Sequence, residues 1–305
     1  MVNCKCFKSF LLLSAMLAML LSCATGTEDR MEELLKESEE QKVKPELEVP
    51  REMLYEIIQQ IPSPLEISNL IKQSGAVYSE EILNPVEHSK NYVNKYAQAI
   101  NLGIYGTDLG YINIYSKYQA SIVYLAAVRE MSEELRIGQF FDFTTIARLA
   151  ANSSEIDSIL YISTQGFDNM NVYLKEQGRD EISILLLVGG WLEAVYILTE
   201  VASKYPSDEL YERVGDQKIM LDDLILIMSL YKGDPYFEKI SKSFEVLKEA
   251  FSSVEISYVQ GERTISEVDG VLVIEDNNKS IVKISEVQVD NIKKVVHELR
   301  NELVR

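Results

Sequence analysis

Cysteine is the scarcest useful residue in this chain. There are three, Cys4, Cys6 and Cys23, and none follows position 23. That excludes a disulfide framework, a cysteine-ligated metal and a thiol nucleophile from everything downstream. Histidine is nearly as rare, with only His88 and His297. No His-x-x-x-His or Glu-x-x-His spacing exists, so zinc and other transition-metal sites lack their usual donors. Phosphate-binding glycine loops, dinucleotide fingerprints and Gly-x-Ser-x-Gly elbows are also missing, so no cofactor is expected. Cationic charge is short as well: 30 Lys and Arg stand against 48 Asp and Glu, for a net charge of −18. Nucleic acid and anionic lipid surfaces both attract cationic patches, so neither is an expected partner. Solubility is reason enough for the acidity.

What the sequence does contain begins at its first residues. Residues 1–9 carry Lys5 and Lys8 and no acid, and Phe10 to Leu21 is an apolar run, FLLLSAMLAMLL. That length suits a signal-peptide h-region and is too short to span a bilayer. It ends in Leu20-Leu21-Ser22-Cys23. A branched residue, a small residue and then cysteine resemble the lipobox of bacterial lipoproteins. The expectation is cleavage before Cys23 and lipidation of Cys23 with diacylglycerol and an acyl chain such as palmitate. Several acyl chains, at about 0.8 kcal/mol per buried methylene, make such an anchor effectively permanent. An ordinary secretory leader cut near Ala24 is the alternative. Ala24 stands where an Asp would signal inner-membrane retention in enteric-type bacteria, so the expected address is the outer membrane of the cell envelope, on its periplasmic or surface face.

Residues 23–50 read as the lipidated cysteine and a charged, flexible tether, because segments this polar cannot offset their ordering entropy. As a coil, residues 24–50 would average on the order of 30 Å end to end. Residues 51–253 read as a helical domain. Apolar positions recur at helical spacing in Met53–Ile61 and in Pro64–Ile71, then over about 86–115, 117–136, 142–151, 154–176, 180–203, 217–231 and 234–252. Ser153 or Ser154 is a plausible cap for the 154–176 range. The 180–203 helix is apolar all round and interrupted by Glu193, which predicts the buried centre of a bundle and not a membrane span. After Val254 the period becomes two. Val254–Tyr258, Val271–Ile274 and Ile281–Ile284, separated by Asp269-Gly270 and Asp276-Asn277-Asn278, predict a small antiparallel β-element. A final amphipathic helix, about 287–304, is expected to close the fold within residues 254–305. The predicted class is therefore mainly α: a multi-helix bundle or short helical array with a small C-terminal β-element. Tyr124-Leu-Ala-Ala-Val128 echoes Trp191-Leu-Glu-Ala-Val195, either as a trace of a bihelical repeat or by chance.

Two segments stand out as candidate chemistry. Asn101–Tyr111 places Gly103, Gly106 and Gly110 three and four apart, an arrangement that reads as one helix face. Each costs roughly 0.8–1.0 kcal/mol relative to Ala. Close helix approach would offset that cost. Tyr111, Tyr115 and Tyr118 continue down the helix, with Tyr105 and Asp108 nearby. Either these residues line a polar pocket, or their hydroxyls are satisfied inside a packed core. The second segment is Gly189-Gly190-Trp191-Leu192-Glu193. A carboxylate there needs a partner, and a Tyr hydroxyl or an Asn from the 101–118 helix is the expected one. Asp222-Asp223 is a weak candidate for Ca²⁺.

Ile61-Pro-Ser-Pro-Leu-Glu-Ile67, Glu81–Pro85, Asn101–Tyr111 and Gly189–Glu193 together resemble a group of helical lipoproteins from Bacteroidota-type bacteria. The resemblance spans about residues 55–205. It implies a lipid anchor and a helical fold, and it carries no activity and no catalytic residue. The expected function is a membrane-anchored interaction or ligand-binding module, non-enzymatic, with an envelope protein as a possible partner. The alternative is an enzyme or small-ligand protein with a pocket at Tyr105, Asp108, Tyr111, Tyr115 and Glu193.

Overall fold

The computed structural model describes residues 64–150, 156–259, 264–268, 271–275 and 279–305. All of them belong to the unit Arg51–Arg305. The leader, Cys23, the tether, the Met53–Ile61 helix, the Ser153/Ser154 cap and both β-turns lie outside the described residues.

The fold is mainly helical, as the periodicity predicts. In chain order the helices are α1 (Pro64–Gln73), α2 (Lys95–Ile114), α3 (Tyr118–Glu134), α4 (Phe143–Ala150), α5 (Ile156–Glu176), α6 (Asp180–Lys204), α7 (Asp208–Met228), α8 (Pro235–Phe251) and α9 (Glu286–Leu303). Their starts follow capping chemistry. The side chains of Asn94, Ser207 and Asp234 accept backbone N–H groups at the first turns of α2, α7 and α8. Ser285 and Gln288 form a capping box on α9. At the end of α5, Gly178 takes φ +63°, and Arg179 N–H donates back to the Leu174 carbonyl at 2.8 Å.

Helix α6 is the centre. It is long and apolar enough to cross a membrane, yet 94% of its most apolar window is buried inside the fold. Its closest partner is α2, and glycine explains the approach. A Cβ on Gly103 would sit 2.0 Å from the Leu186 carbonyl oxygen, and one on Gly189 would sit 1.9 Å from that of Ile100. Thr107 then donates its hydroxyl to the Gly190 carbonyl across the crossing, at 3.0 Å. Helix α9 also packs on α6, α3 packs on α2, and α1 touches both α2 and α6. Helices α7 and α8 cover another side, where Trp191 donates its indole N–H to Gln217 at 3.0 Å. Phe237, Phe244 and Phe251, seven residues apart, face the core from α8.

The β-element is a two-stranded ribbon built in two parts. Strand β1 (Glu255–Val259) pairs antiparallel with β4 (Lys279–Lys283), with Ile256 opposite Val282. Strand β2 (Thr264–Val268) pairs with β3 (Val271–Glu275), with Ile265 opposite Ile274. Four residues separate β1 from β2 and three separate β3 from β4. The base packs on α7, where Gly215 leaves room for Val282 and Val254.

Three expectations need correcting. The helix expected over 86–115 starts only at Lys95, because Asn94 caps it and a non-ladder segment precedes it. The helix expected from 217 starts at Asp208, where Ser207 caps a polar first turn that periodicity does not register. The β-element has a fourth strand, Thr264–Val268, beyond the three apolar runs.

Candidate functional site

Between α1 and α2 the chain runs as a strap, residues 76–92, carrying short 3₁₀ turns at Glu80–Ile82 and Val86–Asn91. It has no strand or α-helix to pair its backbone, so side chains do that work. Tyr115 donates its hydroxyl to the Ala76 carbonyl at 2.7 Å. Ser79 N–H donates to the Tyr111 hydroxyl at 3.1 Å. Tyr105 donates to the Pro85 carbonyl at 2.7 Å, and Tyr124 of α3 donates to the Asn84 carbonyl at 2.8 Å. The tyrosines that read as a pocket therefore bind the strap. Tyr111 and Tyr115 form a ring pair, 5.1 Å apart, joined by Tyr78 of the strap, and Tyr105 packs against Tyr92 at 6.4 Å and Tyr124 at 6.0 Å. Burial, aided by Glu80, pushes the Tyr78 hydroxyl up to about 12.

Beneath the strap lies a charged cluster. Asp108 and Glu193 are fully buried, and Arg300 of α9 is 6% exposed. Arg300 donates Nε and Nη2 to the two oxygens of Glu193, both at 2.9 Å, a bidentate geometry that favours guanidinium over ammonium. Its other face stacks on the Tyr196 ring at 4.6 Å. Burial alone would weaken the Arg300 charge, but the adjacent Glu193 carboxylate reverses that and holds the guanidinium protonated. This corrects the expected partner of Glu193: it is Arg300, not a tyrosine or asparagine of α2.

Asp108 completes the cluster. Asn84 N–H donates to its Oδ2 at 3.0 Å. No donor among the described residues reaches its Oδ1, which is buried. Burial raises the Asp108 carboxyl well above the usual range, and the nearby Glu193 charge adds to that. Arg300 gives its two hydrogen bonds to Glu193, so Asp108 is the acid that takes a proton. One proton and one guanidinium then balance two carboxyls, with no net charge buried.

The cluster also fastens two distant segments. Asn84 Nδ2 donates to the Tyr92 hydroxyl at 3.1 Å, and Tyr92 donates to the Val304 carbonyl at 3.1 Å. Asn101 Nδ2 donates to the Leu303 carbonyl at 3.0 Å. The strap and the end of α9 thus meet over α2.

Of the five residues singled out from sequence, Asp108 and Glu193 come together, while Tyr105, Tyr111 and Tyr115 point to successive stretches of strap backbone. Tyr118 starts α3 and is 43% exposed, so it leaves the α2 face altogether. Gly106 is exposed and meets nothing within 4 Å, so it does not share the packed face of Gly103. Asp222 pairs with Lys248 at 2.8 Å, and no metal-binding group of three or more ligands occurs among the described residues. A shallow surface cleft of about 400 Å³ lies elsewhere, on α9, lined by Asp290, Lys293, Lys294, His297 and Glu298. Sequence reasoning missed Arg300, Asn84 and Tyr92. Arg300 carried a signal, since it lies four residues after Val296 on the apolar stripe of α9.

Comparison with family models, curated proteins and solved structures gave no match.

Proposed function

We propose that the chain is a bacterial cell-envelope lipoprotein, cut before Cys23 and held on the outer membrane by lipid on that cysteine. Its helical unit then serves as a protein-interaction or ligand-binding module. The observation that carries this reading is the order of the first 23 residues: Lys5 and Lys8, an unbroken apolar run, Ser22, then Cys23, with no further cysteine in the chain. Acyl chains anchor by buried methylene area, so the acidic helical unit needs no affinity of its own for the bilayer. No metal-ligating group of three or more His, Cys, Asp or Glu occurs among the described residues, and we read the role as non-enzymatic. It is supported also by the tyrosine hydroxyls of α2, which are engaged by strap backbone.

Mass spectrometry of protein extracted from native membranes tests the anchor. The expected N-terminal peptide starts at Cys23 and carries diacylglycerol and an amide-linked acyl chain. An unmodified Cys23 thiol, or a start site elsewhere, overturns the reading. Cys23→Ala should block processing at this site and leave the protein without acyl label.

A further inference from the structure

Two carboxyls share one guanidinium under the strap, and the groups around them hold two segments more than two hundred residues apart. Both oxygens of Glu193 receive Arg300. Asp108 takes Asn84 N–H on one oxygen, and no donor among the described residues reaches the other. Asn84 reaches Tyr92, and Tyr92 reaches the Val304 carbonyl. We propose that Asp108, Glu193 and Arg300 form a proton-operated latch: with a proton on Asp108 the cluster is neutral and holds residues 76–92 and the end of α9 closed over α2 and α6. Without that proton, the two segments release together.

The physical reason is the cost of an unbalanced charge. When Asp108 ionises, a second buried carboxylate faces Glu193, and the two hydrogen bonds of Arg300 already go to Glu193. Water must enter to solvate the charge. The strap is the weakest wall, because side-chain hydrogen bonds hold its backbone and no ladder does. Tyr92 joins the strap to α9, so opening one loosens the other.

Other titratable groups face Asp108 and must be separated from it. Tyr105 comes from its own helix, Tyr124 from α3, Tyr196 from α6 and Tyr78 from the strap. Burial raises all four hydroxyls, so they stay neutral while a carboxyl titrates. Glu80 acts on Tyr78 and Tyr124 and stands one step further away. Tyr92 faces Glu193 and Arg300. His88 is the remaining candidate sensor, with Nδ1 at 3.2 Å from Asn84 Oδ1.

Hydrogen exchange on the full chain, followed by mass spectrometry from acid to alkaline pH and corrected for intrinsic exchange, tests the latch. In the wild type, opening of residues 76–92 and 299–305 should rise together, by up to about tenfold per pH unit between the ordinary carboxylate range and the raised Asp108 value, and level off above it, as release of one proton requires. Asp108→Asn keeps a neutral group there and should stay closed throughout. His88→Gln should open as the wild type does. The latch is overturned if the wild type stays flat, if only one segment opens, if Asp108→Asn keeps the rise, or if His88→Gln abolishes it. Infrared spectroscopy gives an independent measure that needs no variant to fold. Folded wild-type protein at neutral pH should show the carbonyl band of a buried protonated carboxylic acid, and its absence also overturns the proposal.

Discussion

At the scale of single residues, Asp108 and Glu193 behave differently although both are buried acids. Asp108 has a raised carboxyl pKa, so between the ordinary carboxylate value and its folded value the native state holds a proton that the unfolded chain has lost. Stability must therefore fall as pH rises through that window, by up to about 1.4 kcal/mol per pH unit. Asp108→Asn should flatten that slope in chemical denaturation and leave the protein at least as stable at neutral pH. Glu193→Gln should do the opposite. It removes the hydrogen-bonded partner of Arg300 and leaves only Asp108 to balance the buried cation, a loss of about 3–5 kcal/mol for a broken buried pair. Replacing Glu193 and Arg300 together with Leu and Met should recover much of that loss, because no unpaired charge remains. A double variant as weak as Glu193→Gln alone would refute the charge argument.

At the scale of elements, the crossing of α2 and α6 turns on which glycine is replaced. Gly103→Ala drives a methyl into the backbone of α6, 2.0 Å from the Leu186 carbonyl oxygen, and overpacking of this kind costs about 1–3 kcal/mol or more. Gly106→Ala, three residues on, meets open space and should add about 0.5–1 kcal/mol of stability. Thermal melts of the two variants should move in opposite directions. The element scale is also where the sequence was most legible. The apolar positions of α6, α8 and α9 repeat at helical spacing, so their extents came out to within one or two residues. The expected helix over 86–115 overruns its true start at Lys95 by nine residues, 86–94, of which Val86–Asn91 are a 3₁₀ turn. Nothing local reveals that Tyr92 binds the Val304 carbonyl across 212 residues of chain. Glu193 was correctly read as a buried acid in need of a partner. That the partner is Arg300 is a fact of tertiary packing, although an arginine on the apolar stripe of α9 was a legible hint.

At the scale of the whole molecule, the ribbon and the helices are separable. Strands β1 and β4 pack on α7, while the principal contacts of β2 and β3 are with each other. Joining Val259 to Lys279 through a two-residue Asn-Gly turn should therefore leave the melting temperature of the helical unit within a few degrees, about the shift that 1 kcal/mol produces in a domain of this size. A large drop would mean that the far end of the ribbon supports the core. The proposed lipid anchor belongs to the same scale, and the Cys23→Ala comparison tests it independently of the fold.

The distance along the chain between Glu193 and Arg300, 107 residues, also sets a timetable. Translation proceeds at roughly 5–20 residues per second, so α6 emerges from the ribosome about 5–20 s before the cation that neutralises its central acid. Through that interval, Asp108 and Glu193 keep the α2–α6 seam hydrated, and the nascent protein stays protease-sensitive. Stalled chains that present residue 290 to solvent should be digested quickly, and chains that present residue 305 should resist.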